Sequence, residues 1–360
     1  MKKRIVSIVL SATLVATAFT GCGGSGTSSD GSASKASTET KILGTGIYSA
    51  SDNFNSYLGK AITNSSKGIF QTNVEDGQND QSTQNNQVDT MLAKGASVVA
   101  LSVVDVTAAP NLIQKCKNAG NVPIIFFNKE ITDQSVMASY DKAYQVTSTG
   151  GDYGANIEAQ EIVDAWKANK DMDKNHDGKL QIIDLMGDPG HTATKPRADA
   201  WKDTLTKAGV KYELLAEDTG MWVTATAKDK MDAWISKYGD GVECIICAND
   251  AMALGALSSV EAAGFNKQGT KSGKYIPIYG IDALPEILSK IQSGEIAGSV
   301  LQDSKTQGEV IVKIAQNLVN GKDATDGLSL KLEAGAKAVR VPYKAVTLEN
   351  LDEAKAAYGS

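Results

Sequence analysis

The chain has 360 residues, 42% of them apolar and 22% charged, enough for two domains of ordinary size with separate cores. Its formal charge of −6 includes Lys2, Lys3 and Arg4 in a leader without acids, so the remainder carries −9. An acidic chain without a basic stripe excludes nucleic acid as its natural partner and suits a neutral small ligand.

The amino terminus reads as an export signal over residues 1–21. Met-Lys-Lys-Arg precedes an apolar run over 5–19 that is too short for a comfortable membrane span. The run ends Ala18-Phe19-Thr20-Gly21-Cys22, which resembles a bacterial lipoprotein cleavage site, with Phe19 standing where an aliphatic residue is usual. That resemblance implies acylation of Cys22 and anchoring to the outer face of the cell membrane. Residues 22–40, rich in Gly, Ser and Thr, then form a flexible tether.

From Lys41 onward apolar strand-like runs alternate with amphipathic stretches. A strand over 42–47 leads to a helix over 54–68. A strand over 98–103, a helix over 108–119 and a strand over 122–127 follow. After residue 150 the alternation restarts with a helix to Lys167, a strand over 180–185 and a helix over 197–208. A strand over 212–215, a helix over 223–238, a strand over 244–247, a helix over 251–263 and a strand over 276–281 complete the series. Two consecutive series predict an α/β protein of two Rossmann-like domains with parallel sheets covered on both faces. Cys244-Ile-Ile-Cys247 has redox or metal spacing, but inside an apolar strand its two side chains point to opposite faces. These thiols and Cys116 are expected to be packed.

Ligands of open parallel sheets bind beyond the carboxyl ends of the strands. Here those ends carry Asp52 and Phe54, Asn128, His191 and Arg197, Trp222, Asn249 with Asp250, and Asp282. Singly, Asp52 and Asp282 could cap helices and Trp222 could be packing. Together, carboxylates, amides and a guanidinium suit a ligand with a rim of hydroxyls, and aromatic rings suit its C–H faces. A pyranose has both.

Several strings resemble the bacterial galactose/glucose-binding proteins, in the same order across residues 42–350. They include Asp52-Asn53-Phe54, Gln78-Asn79-Asp80-Gln81-Ser82, Phe126-Phe127-Asn128-Lys129-Glu130 and Pro189-Gly190-His191. Lys228-Asp229-Lys230-Met231-Asp232-Ala233-Trp234, Asn249-Asp250-Ala251-Met252-Ala253 and Asp282-Ala283-Leu284-Pro285-Glu286 continue the series. The resemblance implies a type I periplasmic binding protein with three hinge crossings. Its lobes would be 41–148 plus 303–338 and 149–302 plus 339–360. Such a protein is a monomer that captures galactose, glucose or a related galactoside for an ABC permease and catalyses nothing. It also implies sugar contacts from Asp52, Phe54, Asn128, His191, Arg197, Trp222, Asn249 and Asp282, with Gln302 where the family has asparagine. Two residues after His191 the family carries a carboxylate; Ala193 stands there, and the space is expected to relax selection at the anomeric end, admitting a glycoside or short galactoside, or to shift preference among hexoses. The alternatives are an extracellular glycosidase using Asp52 and Asp282 as paired acids, or a sugar sensor for a chemoreceptor or kinase.

Residues 173–181 match the start of an EF-hand-like loop. Asp173, Asn175 and Asp177 occupy positions one, three and five, and Gly178 at six allows the sharp turn. Lys179 would contribute its carbonyl and Gln181 its side-chain oxygen. The resemblance implies that Glu243 completes a structural Ca2+ site within one domain.

Overall fold

The computed structural model describes residues 41–148, 150–271 and 273–359. The leader, Cys22 and the tether lie outside them.

In chain order the first series is β1 (Ile42–Ile47), α1 (Asn53–Ser65), β2 (Gln71–Asp76), α2 (Gln81–Ala93), β3 (Val98–Leu101), α3 (Ala109–Asn118), β4 (Ile124–Phe127), α4 (Gln134–Ala138) and β5 (Ala143–Ser148). The second is α5 (Ala155–Ala168), β6 (Leu180–Met186), α6 (Thr194–Lys207), β7 (Tyr212–Thr219), α7 (Thr224–Tyr238), β8 (Cys244–Cys247), α8 (Asp250–Ala262), β9 (Ile278–Asp282), α9 (Pro285–Ser293) and β10 (Gly298–Leu301). The chain then returns through α10 (Ser304–Val319), β11 (Leu332–Glu333) and β12 (Ala338–Val341), and ends with β13 (Lys344–Val346) and α11 (Leu351–Ala356).

These strands form two sheets, ordered β11-β12-β5-β4-β3-β1-β2 and β13-β10-β9-β8-β6-β7. All pairings are parallel except β11 with β12 and β13 with β10. The central strands are buried on both faces, which is why Val-Val-Ala-Leu and Ile-Ile-Phe-Phe read as unbroken apolar runs. Alternation distributes them. Val98, Ala100, Ile125 and Phe127 pack with α1 and α10, while Val99, Leu101, Ile124 and Phe126 pack with α2 and α3. In the second sheet Cys244 packs with α5 and α6, and Cys247 with α7 and α8. Both thiols are free and buried on opposite faces, as the strand register requires.

Three departures from the sequence expectations have physical reasons. β2 and α2 went unpredicted because Gln-Thr-Asn-Val-Glu-Asp is an edge strand with one aliphatic side chain, and α2 is mostly polar. β7 runs to Thr219 rather than 215, past a register shift opposite Ile182/Ile183; as an edge strand it needs no apolar face on both sides. The expected lobe boundary after residue 338 falls inside β12. Val339, Arg340 and Val341 pair with Val146, Thr147 and Ser148 of β5, so the first lobe extends to Val341.

The chain therefore crosses between sheets three times: between Ser148 and Ala155, between Leu301 and Ser304, and between Val341 and Lys344. The carboxyl ends of the strands in both sheets contribute to one cleft beside these crossings.

Candidate ligand-binding site

All nine residues singled out for a ligand line one cavity. Asp52, Phe54 and Asn128 come from the first lobe, His191, Arg197, Trp222, Asn249 and Asp282 from the second, and Gln302 from a crossing. Tyr153, Ala193 and Tyr343 complete the wall. In this shut arrangement the gap left between these side chains is narrow, about 20 Å³. All nine except Asn128 are buried, so the lobes are shut over it.

Local structure explains the aim of each group. Asp52 is the N-cap of α1, its Oδ1 accepting from Asn55 N–H at 3.0 Å and its Oδ2 accepting from the Tyr48 hydroxyl. Asn249 caps α8 through Met252 N–H at 3.0 Å, and its amide donates to Trp222 O at 3.4 Å. Asp282 caps nothing: the first turn of α9 is held by Leu284 N–H donating to Asp250 Oδ2 at 2.8 Å. Among the described residues the Asp282 carboxylate has no hydrogen-bond partner. Asn128 (φ 63°), Trp222 (φ 62°), Asp282 (φ 126°) and Ala283 (φ 57°) occupy backbone conformations that non-glycine residues rarely adopt. Such outliers cluster where a site over-determines the backbone.

His191 Nδ1 accepts from Ala193 N–H at 3.1 Å, so the neutral ring carries its proton on Nε2. Burial, then the charges of Lys129 and Arg197, hold its pKa well below the usual imidazole range. The ring meets Trp222 edge-on, centroids 5.1 Å apart. Trp222 Nε1 is buried without a partner.

Arg197 is 5% exposed and forms no ion pair among the described residues. Its guanidinium is satisfied by neutral acceptors: Nε donates to Tyr153 O at 3.0 Å, Nη1 to Ala248 O, and Nη2 to Gln302 Oε1 and Tyr343 Oη at 3.2 Å each. Tyr343 Oη in turn donates to Gln302 Oε1 at 3.2 Å. Tyr153 and Tyr343 pack in one cluster with Ala193, which stands where the family carries a carboxylate.

Sequence reading missed Tyr48, Lys129, Tyr153 and Tyr343. Tyr48 directly follows β1 and orients Asp52. Lys129 lies over the Tyr48 ring at 3.9 Å and donates to Val104 O at 2.7 Å. Burial lowers its pKa to about 8, against the opposing pull of Asp188, Asp52 and Asp105. Tyr48 and Lys129 sit at strand ends and were findable by the same rule as Asp52 and Asn128. Tyr153 and Tyr343 sit at crossings, which only pairing of the sheets reveals.

Burial also dominates the carboxyls behind the pocket. Asp184 and Asp250 are pushed up to about 7 and Glu161 to about 8. Their folded values exceed their unfolded ones, so the stability they contribute is full below about pH 4 and is lost as pH rises through 7–8. His191, depressed, acts oppositely between about pH 6.5 and its lower folded value. Three acids outweigh one imidazole. The ligand-free protein should therefore melt at a higher temperature at pH 5.5 than at pH 8, and a rising melting temperature across that range would contradict this.

The second constellation lies at the opposite, amino-terminal ends of the second sheet. Asp173 Oδ1 and Oδ2 accept from Asp177 and Gly178 N–H at 3.1 and 3.0 Å, and Asn175 Oδ1 accepts from Asp177 N–H at 2.9 Å. Glu243 accepts from Lys174 N–H at 2.6 Å and Gln181 N–H at 3.1 Å, fastening the loop to the strand before β8. Gln181 Oε1 is buried with no partner, an oxygen that a hard cation would satisfy. Among the described residues no three His, Cys, Asp or Glu side chains converge as a metal cluster, so a cation here would also need Asn175, Gln181 and the Lys179 carbonyl.

The profile of the periplasmic binding protein domain matches residues 44–323. The chain belongs to the periplasmic binding protein family. It is 42% identical over 326 residues to the D-galactose/methyl-galactoside binding periplasmic protein MglB of Haemophilus influenzae, covering 90% of this chain and 94% of that one. A putative rhizopine-binding protein of Rhizobium meliloti is 27% identical, with 87% and 92% covered. An ABC transporter solute binding protein from Bacillus halodurans, solved with myo-inositol bound, superposes with a TM-score of 0.71 at 24% identity, over 89% of this chain and 98% of that one. Its agreement is one of fold, the type I arrangement of two α/β lobes. Periplasmic binding proteins hold and release their ligands, so the glycosidase alternative for Asp52 and Asp282 falls away.

Proposed function

We propose that this periplasmic binding protein captures galactose, or a simple galactoside, and presents it to an ABC permease. The observation that supports this most directly is the shut cavity lined together by Asp52, Asn128, His191, Asn249 and Asp282, with Phe54 from the first lobe and Trp222 from the second. Acceptors at Asp52 and Asp282 and a donor at His191 Nε2 match a rim of hydroxyls. Each unpaired buried hydroxyl would cost about 1–3 kcal/mol, which makes such a rim selective. The ligand printed in the name of the Haemophilus influenzae relative points the same way.

At the end walled by Ala193, Tyr343 and Gln302 no carboxylate waits for an anomeric hydroxyl. Replacing that hydroxyl by a methoxy group strands no buried carboxylate there, and Arg197 keeps its neutral acceptors. Calorimetry should thus find galactose bound near 1 μM, about −8 kcal/mol, and methyl α- and β-galactosides within tenfold of it. Strict rejection of both glycosides would overturn the anomeric reading, and no heat with any hexose would overturn the ligand class.

Two further elements of this reading are the Cys22 lipid anchor with its Gly/Ser tether, which would keep the monomer at the outer face of the membrane, and a structural Ca2+ in the loop of Asp173, Asn175, Asp177, Lys179, Gln181 and Glu243. Mass spectrometry of membrane-extracted protein should show a diacylglyceryl adduct on a chain beginning at Cys22; an unmodified secreted form would refute the anchor. A receptor role alongside transport would use the same pocket.

A further inference from the structure

Arg197 begins on the first turn of α6, within the second lobe, yet its guanidinium touches all three crossings between the lobes. Nε reaches Tyr153 O at 3.0 Å in the first crossing. Nη2 reaches Gln302 Oε1 in the second and Tyr343 Oη in the third, both at 3.2 Å. Tyr343 Oη donates to Gln302 Oε1 at 3.2 Å, joining the third crossing to the second. The Tyr343 ring is seated on Gly154, where a Cβ would come within 2.9 Å of Cδ1 and φ is +87°. Arg197, Gln302 and Tyr343 are at most 7% exposed.

Crossing segments are where a hinge absorbs its change of backbone angles. Bonds from one rigid guanidinium to three such segments can all be made in only one hinge setting, and leaving its buried donors unpaired is unfavourable. The same guanidinium lines the cavity.

We propose that Tyr343 and Gln302 are positioning residues that tie Arg197 to the hinge, so that a ligand held by Arg197 is read out as lobe closure. This rests on the proposed sugar reading and on Arg197, which lines the cavity, being one of the ligand contacts the family resemblance implies.

The test compares wild type with Tyr343→Phe, which keeps the ring on Gly154, and with Gln302→Leu. Melting curves establish that each variant folds, calorimetry measures galactose affinity, and small-angle scattering measures lobe closure with and without saturating galactose. Both variants should bind galactose at least tenfold more weakly and keep a larger radius of gyration at saturation than wild type. Normal affinity with normal closure overturns the proposal. So does weakened binding with wild-type closure, which would make the two side chains simple ligand contacts. If wild type itself binds no galactose, the ligand reading fails separately. The hinge tie is then judged on ligand-free scattering, where larger radii for both variants support it and identical radii overturn it.

Discussion

Gly187→Ala should abolish galactose binding, lowering affinity by a hundredfold or more, although residue 187 donates nothing to a sugar. A methyl group at this position would lie 1.9 Å from Trp222 Cζ2 and 2.1 Å from Cη2, far inside any contact that real Cβ atoms make. The indole must leave. It cannot slide aside cheaply, because Trp222 is held at φ 62° and its carbonyl accepts from Asn249. Loss of a large aromatic from a packed site is worth about 3–5 kcal/mol, or roughly two to four orders of magnitude in affinity. Gly190→Ala is the matched control, since its nearest neighbour would be Asp188 Oδ1 at 3.4 Å and the pocket would be untouched. Calorimetry together with tryptophan emission reads both. Wild-type affinity in Gly187→Ala would show that Trp222 is not part of the grip.

Removing calcium should lower the melting temperature while leaving galactose affinity nearly unchanged. The loop before β6 is fastened to Glu243 before β8 by the Lys174 and Gln181 N–H groups, around the partnerless Gln181 Oε1. A cation at about 100 times its Kd stabilises by about 2.7 kcal/mol. For a lobe of this size that corresponds to roughly 5–10 °C. Affinity should be spared because the loop sits at the amino-terminal ends of strands whose carboxyl ends carry the pocket. Glu243→Gln should melt like the chelated wild type and no longer respond to calcium. Identical melting of wild type with calcium and with chelator would refute the site, whatever the sugar results.

Both predictions draw on residues legible in the chain itself, and the reason is topological. Parallel sheets buried on two faces make strands into apolar runs, and each run ends at the rim where ligands sit. Asn128 after Ile-Ile-Phe-Phe and Asp282 after Tyr-Gly-Ile are thereby marked without a structure. Among the strand ends lost from view was that of β2, whose edge position removes the apolar signal; β5 and β10, inside their sheets, also went unpredicted. The boundary misplaced at 338 has a similar origin, because the short Ala-Val-Arg-Val of β12 gives no sign of which sheet it joins.

What the amino-acid order determined alone is the two-lobed α/β class, eight polar and aromatic groups at strand ends, and the cation-loop pattern, since each is written in short-range periodicity and spacing; Gln302 came only from the family resemblance. Tertiary structure alone decided that Tyr343, 146 residues from Arg197, shares its guanidinium with Gln302 and with the carbonyl of Tyr153. Local pattern carries no record of such partners: a side chain at a crossing acquires its role only when two sheets, assembled from distant stretches of chain, bring the three crossings side by side.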